Sequence, residues 1–245
     1  MVDSQLIKGF TKLKEKKMVK ISPSLMCMDI SKFEEQINCL NQTVDYYHID
    51  IMDGHYVSNM TLSPWFIKQL KDHTTIPIDA HLMVTNPIEY VDQLLDLGVE
   101  VISIHAEYLN GHAFRLSEKI KQHGKKMGVV LNPETPLSLV YDYLHLLDII
   151  TVMTVDPGFA GQTFISESLK KVRTLKTVRE ERKLVFEIQI DGSCNEKTYQ
   201  MMIDAGADIL ILGSSGLFNL DDSIGKSVEI MKNQLSSATS EIKSF

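Results

Sequence analysis

The chain has 245 residues, 44% hydrophobic and 23% charged, a length and balance that fit one globular domain with a sizeable core and disfavour a two-domain arrangement. Lys and Arg number 25 against 32 Asp and Glu, and the resulting charge of -7 offers no basic field to hold nucleic acid. Cys27, Cys39 and Cys194 are widely spaced without a CxxC pair, which argues against a disulfide scaffold or zinc knuckle, and no apolar run reaches the roughly 20 residues of a membrane helix or the core of a signal peptide. We therefore expect a cytoplasmic protein with neither nucleic acid nor membrane as partner.

In chain order, residues 1–18 come first. Lys8, Lys12, Lys14, Lys16 and Lys17 surround Leu6, Ile7, Phe10 and Leu13 in a weakly amphipathic basic segment. It reads as an N-terminal extension outside a single domain of residues 19–245. From there, short β-branched runs alternate with helical patterns. Strands are expected at 19–24, 46–52, 76–83, 99–105, 126–131, 148–155, 184–191 and 208–213. Helices are expected at 30–41, 63–72, 87–97, 112–123, 136–145, 165–180, 195–205 and 221–238. Asp29 and Asn195 stand where N-caps belong, and Gly98 and Gly206 where C-caps belong. Eight β-then-α units in about 225 residues predict a single (β/α)8 barrel of the α/β class, with the functional groups at the carboxyl ends of its strands.

The second strand would place His48, Asp50 and Met52 on one face and Tyr47, Ile49 and Ile51 on the other, because strand side chains alternate. The third strand would likewise turn Asp79, His81 and Met83 inward, and the seventh Glu187, Gln189 and Asp191. A lone inward His or Asp is usually a hydrogen-bonded structural group. Two His and two Asp at one end of three strands form a two-nitrogen, two-oxygen set suited to one divalent ion such as Zn²⁺, Mn²⁺, Fe²⁺ or Co²⁺. Burying so many ionisable groups without a cation or a tight hydrogen-bond network would cost heavily in desolvation. Met26, Met52, Met83 and Met153 fall near strand ends, where they either fill gaps in the core or line a pocket. His105 and Glu107 end the fourth strand as an outer pair or a rim contact.

Glycines make the next constellation. Gly158, Phe159, Ala160 and Gly161 follow strand six, Gly192 and Ser193 follow strand seven, and Gly213, Ser214 and Ser215 follow strand eight. A single such glycine usually only turns the chain, but three loops side by side bring backbone N–H groups to one anion, and barrels bind phosphate after strands seven and eight. The expected substrate is a small phosphorylated molecule.

The segments ISPSL (21–25), HIDIMDG (48–54), HLMV (81–84), VMTVDPGFAGQ (152–162), DGS (191–193) and GSS (213–215) resemble, in order, the ribulose-phosphate 3-epimerase family over roughly residues 19–235. Within the family, SPSLMCMD (22–29), LNPETP (131–136), DGSCN (191–195) and GLF (216–218) are most similar to the D-allulose 6-phosphate 3-epimerase branch. Pentulose enzymes more often carry DGG where Ser193 stands and GFGG where Ala160 intervenes. The resemblance implies a metal-dependent isomerase that inverts C3 of a ketose phosphate through an enediolate, without an organic cofactor. It implies His48, Asp50, His81 and Asp191 as metal ligands, Asp50 and Asp191 also as the acid and base pair, and Ser24 and His81 at the substrate. The glycine loops, with Asp191, would contact the phosphorylated substrate. A homo-oligomer is expected. The alternatives are D-ribulose 5-phosphate as substrate with the same chemistry, and a sensor that binds a sugar phosphate without turnover; a sensor has no need for two bases.

Overall fold

A computed structural model describes residues 19–240, so the expected N-terminal extension lies outside the described residues. All eight expected strands form: β1 (Lys20–Pro23), β2 (Tyr47–Met52), β3 (Ile78–Met83), β4 (Val101–His105), β5 (Lys126–Leu131), β6 (Ile149–Met153), β7 (Glu187–Asp191) and β8 (Ile209–Leu212). They pair in parallel from β1 through β8 and down to β2. A bridge between Ser24 and His48, with backbone bonds from Asp45 and Tyr46 to the Ile21 carbonyl, brings β1 against β2 and all but closes the ring. The expected (β/α)8 barrel is the fold.

The α-helices are α1 (Phe33–Leu40), α2 (Pro64–Leu70), α3 (Ile88–Asp96), α4 (Ala113–Gln122), α5 (Leu169–Arg182), α6 (Tyr199–Ala205) and α7 (Ile224–Ser240). Their apolar stripes cover the outward strand residues Tyr47, Ile49, Ala80, Ile102, Val129, Ile150, Ile188 and Leu210, all fully buried in one core. Asp29 caps the turn before α1 through the Ser31 amide, and Gly98 and Gly206 adopt positive φ after α3 and α6, where a left-handed residue ends a helix without a Cβ penalty. No described helix is long and apolar enough to cross a membrane.

Two local expectations need correction. Segment 136–145 is not an α-helix; it makes two 3-10 turns, Leu137–Leu139 and Leu144–Leu146. Val140, Leu144 and Leu147 are buried at helical spacing, which produced the expectation, yet the run VYDYLH (140–145) is dominated by weak helix formers. Asn195 does not cap α6, whose N-cap is Thr198. Its carboxamide oxygen accepts from the Lys197 amide at 3.1 Å in the preceding turn, and its Nδ2 donates to the Ser193 carbonyl at 3.0 Å and Ser215 Oγ at 3.2 Å.

Inside the barrel, Tyr46, Val101, Ile149 and Ile209 pack as a separate apolar cluster drawn from the even-numbered strands or the residue just before them, the four-from-alternate-strands layer of this architecture. It floors the barrel. Above it the interior turns polar, with Ser22, His48, Asp79, Ser103, Thr151 and Gln189 all fully buried. Thr151 donates to Gln189 at 2.6 Å and Ser103 to Asp79 at 2.7 Å.

The eighth loop is held by close packing. Gly216 lies in a π-helical turn, Ser214–Phe218, where an added Cβ would collide with the Cys194 carbonyl and sit 3.0 Å from the Tyr199 hydroxyl. That hydroxyl donates to the Gly216 carbonyl at 3.1 Å. Gly216→Ala should therefore lower stability by about 1–3 kcal/mol, read as a lower denaturant midpoint at unchanged m. An unchanged midpoint would show that the loop yields freely.

Candidate active site

The strand register brings the site together. His48 pairs with Asp79, Asp50 with His81 and Met52 with Met83 across β2 and β3, so the alternation of each strand turns both sets into the barrel. His48 lies deeper than expected, near the start of β2, whereas Asp50, His81 and Asp191 lie nearer the mouth. His81 Nδ1 is 3.2 Å from Asp50 Oδ1 and 3.6 Å from Asp191 Oδ2. His48 Nε2 is 3.4 Å from Asp50 Oδ1, 3.8 Å from Asp191 Oδ2 and 3.2 Å from His81 Nδ1. One atom from each of the four residues thus converges, all within 4.8 Å of one another.

These separations fit a cation. Ligands about 2.0–2.1 Å from a tetrahedral zinc-like ion stand about 3.3 Å apart along each edge, close to the spacings here. Two imidazole nitrogens and two carboxylate oxygens suit a divalent metal, and a divalent ion is the cofactor of this site. With only the protein groups present, burial opposes a charged His48, but the carboxylates of Asp50 and Asp79 outweigh it and hold its pKa well above the usual value. Burial likewise opposes an ionised Asp50, yet His48 and His81 drive its pKa well down. Asp191 is pushed up, first by burial and then by the charge of Asp50. The two carboxylates are thus shifted in opposite directions.

Each carboxylate has an oxygen to spare. Asp50 Oδ1 faces the histidines while Oδ2 accepts from Ser24 Oγ at 2.6 Å. Asp191 turns Oδ2 towards the histidines. β2 and β7 are three strands apart around the barrel, so the two carboxylates approach the mouth from different sides.

A cleft opens above them. Its lining includes Ser24, Asp50, Asp191 and all four methionines, Met26, Met52, Met83 and Met153. It also includes Gly158, Phe159, Ala160 and Gly161 after β6, Gly192 and Ser193 after β7, and Gly213, Ser214 and Ser215 after β8. His48 and His81 lie beneath it, fully buried. Among the glycines of these loops, Gly158, Gly161 and Gly192 have positive φ, a conformation that glycine adopts without a Cβ penalty. The three loops are tied together: Ser193 Oγ donates to the Gln162 carbonyl at 2.5 Å, Thr154 Oγ1 donates to the Gly192 carbonyl at 2.6 Å, and Asn195 bridges to Ser215 as described. Ser193 itself has φ +50, a left-handed conformation uncommon for a residue with a side chain.

The structure adds groups that the sequence pattern did not assign to the site, and it places His105, expected as an outer partner or a rim contact, directly behind His81. Cys27 and Gln162 line the cleft. Asp79 Oδ2 lies 3.0 Å from His48 Nδ1. His105 Nε2 lies 2.8 Å from His81 Nε2, and Tyr56 Oη 2.8 Å from His105 Nδ1. Asp79 shares an inward face with His81, so its neighbourhood was foreseeable; Tyr56 sits in the loop after β2 and carried no signal. Glu107 does not pair with His105 but accepts from Thr135 and, at 3.4 Å, from Asn132 Nδ2 at the rim.

Comparison with known proteins agrees with this geometry. The model of the Ribulose-phosphate 3 epimerase family matches residues 20–218. Ribulose-phosphate 3-epimerase of Bacillus subtilis is 37% identical over 200 residues, 81% of this chain and 92% of that protein. The chloroplastic ribulose-5-phosphate-3-epimerase of Arabidopsis thaliana is 36% identical over 197 residues, 80% of this chain and 70% of that one. Among solved structures, a tryptophan synthase alpha-subunit of Pyrococcus furiosus superposes with a TM-score of 0.62 at 14% identity, covering 90% of this chain and 97% of that one, a likeness of fold alone.

Proposed function

This chain belongs to the ribulose-phosphate 3-epimerase family and is an isomerase, and we propose that it inverts C3 of D-allulose 6-phosphate to give D-fructose 6-phosphate, with Asp50 and Asp191 as the two bases. The observation that carries the epimerisation is the meeting of two carboxylates from different sides of the barrel at one histidine pair, directly below a three-loop glycine cradle; the choice of the hexulose rests on the sequence resemblance at the loops.

The chemistry follows from acidity. A proton next to a ketone is only weakly acidic, so its removal near neutral pH requires stabilisation of the enediolate. A divalent ion held by His48, Asp50, His81 and Asp191 supplies Lewis acidity for the negative charge on the substrate oxygens. Asp50 takes or returns the proton through Oδ2, the oxygen that Ser24 holds in place. Asp191 serves the opposite face of C3, so one carboxylate is protonated as the other is freed in each turnover. Met26, Met52, Met83 and Met153 present apolar, polarizable surface around the reacting carbon and keep water from the enediolate. Gly158 to Gly161, Gly192, Ser193 and Gly213 to Ser215 hold the phosphate.

Selectivity between six and five carbons belongs to the loops. With C3 fixed by the carboxylates, one more CH(OH) moves the phosphate outward by about one bond, which the cradle must absorb. Ser193, in a left-handed conformation and tied to Gln162, sets the spacing between the sixth and seventh loops, and Ala160 lines the same cleft. The identities near 36% to enzymes named for ribulose phosphate favour a second reading, D-ribulose 5-phosphate as substrate. NMR measurement of kcat/KM on both ketose phosphates decides: a preference for D-allulose 6-phosphate supports the proposal, and a preference for D-ribulose 5-phosphate replaces it. Ser193→Gly should shift the ratio of efficiencies towards the pentulose by about tenfold. An unchanged ratio would place selectivity outside this loop.

A further inference from the structure

His48 and His81 have different outer partners, and the difference has a chemical use. His48 Nε2 faces the cluster and Nδ1 faces the carboxylate of Asp79, itself held by Ser103. His81 presents Nδ1 to the cluster, and its Nε2 meets the neighbouring ring of His105, stacked at a centroid distance of 4.9 Å. We propose that His105 and Tyr56 form a positioning relay that fixes the tautomer of His81 and so governs how tightly the site holds its divalent ion. The proposal rests on the assignment of His81 as a ligand.

A neutral imidazole carries one proton and one lone pair on its two nitrogens. For Nδ1 of His81 to offer its lone pair to a cation, the proton must sit on Nε2. That nitrogen is buried, and the acceptor within reach is His105 Nε2, at 2.8 Å. His105 must then present a lone pair at Nε2 and carry its own proton on Nδ1, which lies 2.8 Å from Tyr56 Oη. Asn132 Nδ2, at 2.8 Å, also donates to that oxygen, which has lone pairs for both. The polarity runs from His81 through His105 to Tyr56.

Reversing it has a definite result. If Tyr56 donated to His105, His105 would donate to His81, and the proton of His81 would be forced onto Nδ1, where it would point at the other three ligands and exclude the cation. Outer partners that orient metal-binding histidines commonly change affinity by about 10–100-fold when removed. The choice of partner also matters for charge. A second carboxylate behind His81 would add a full negative charge near the substrate oxygens on which negative charge develops, whereas an imidazole accepts the hydrogen bond without one.

The test reads tautomers and affinity rather than turnover. In zinc-loaded protein labelled with ¹⁵N-histidine, long-range ¹H–¹⁵N correlation should show His81 protonated at Nε2 and His105 at Nδ1; a proton on His105 Nε2 overturns the relay. Zinc affinity by competition with a chromophoric chelator should fall about 10–100-fold in His105→Phe and recover to within about threefold of wild type in His105→Gln, whose amide can accept from His81 and donate to Tyr56. Equal losses in the two variants, or no loss in His105→Phe, overturn it. Tyr56→Phe keeps the test open if His105→Phe does not fold: a drop of about threefold or more supports the relay, and an unchanged affinity rejects it. A wild-type protein that binds no zinc would overturn both the relay and the ligand assignment; normal wild-type binding with unresponsive variants would overturn the relay alone.

Discussion

Asp191→Asn, with its metal content restored, should lower the rate of epimerisation by about 10²–10⁴-fold while leaving one half-reaction detectable. The two carboxylates stand on strands three apart around the barrel; in the proposed mechanism they would face C3 from different sides, so each would remove the proton of one epimer only. In heavy water, product formed early by the native enzyme should carry deuterium at C3, because the base that delivers the new hydrogen is not the one that removed the old. Recovered substrate should carry less. With Asp191 replaced, the epimer whose proton faces Asp50 should still exchange slowly at C3 without inverting, and Asp50→Asn should show the mirror image. Both residues also face the histidine pair, so elemental analysis must precede the kinetics in each variant. Near wild-type interconversion by either metal-loaded variant would show that its carboxylate is not an essential base.

Removal of divalent ions should abolish turnover, and readdition of Zn²⁺, Mn²⁺, Co²⁺ or Fe²⁺ should restore it. The four converging donor atoms, two imidazole nitrogens and two carboxylate oxygens within 4.8 Å of one another, suit such an ion. Without a cation the enediolate would develop its charge beside two acids, a cost of several kcal/mol in the barrier. His81→Ala should bind the ion more weakly and track the apoenzyme. Full activity in a preparation shown by elemental analysis to be metal-free would refute the electrophilic role.

The sequence disclosed those parts of the molecule whose geometry is set by short-range periodicity. A strand forces residues i and i+2 onto one face, so the alternation alone placed His48 with Asp50 and Met52, and Asp79 with His81, in the lumen. Eight alternating units likewise pointed to the barrel. Segment 136–145 escaped because burial at helical spacing does not require a helical backbone when the residues themselves are poor helix formers. Asn195 escaped because its partners, Ser193 and Ser215, lie on two different loops. Tyr56 escaped for the same reason: it reaches His105 only after the loop following β2 has folded across the barrel. Loop residues acquire neighbours through tertiary closure, and no local pattern records that.

The floor of Tyr46, Val101, Ile149 and Ile209 makes the barrel a blind well. Among the described residues, His48 and His81 lie buried between that floor and the cleft. On the proposed assignment the ion and the ketose phosphate would share the cleft as their entrance, and the ion, held deeper, would have to arrive first. Occupancy would then be ordered by depth: the ion could not leave while the ketose was in place.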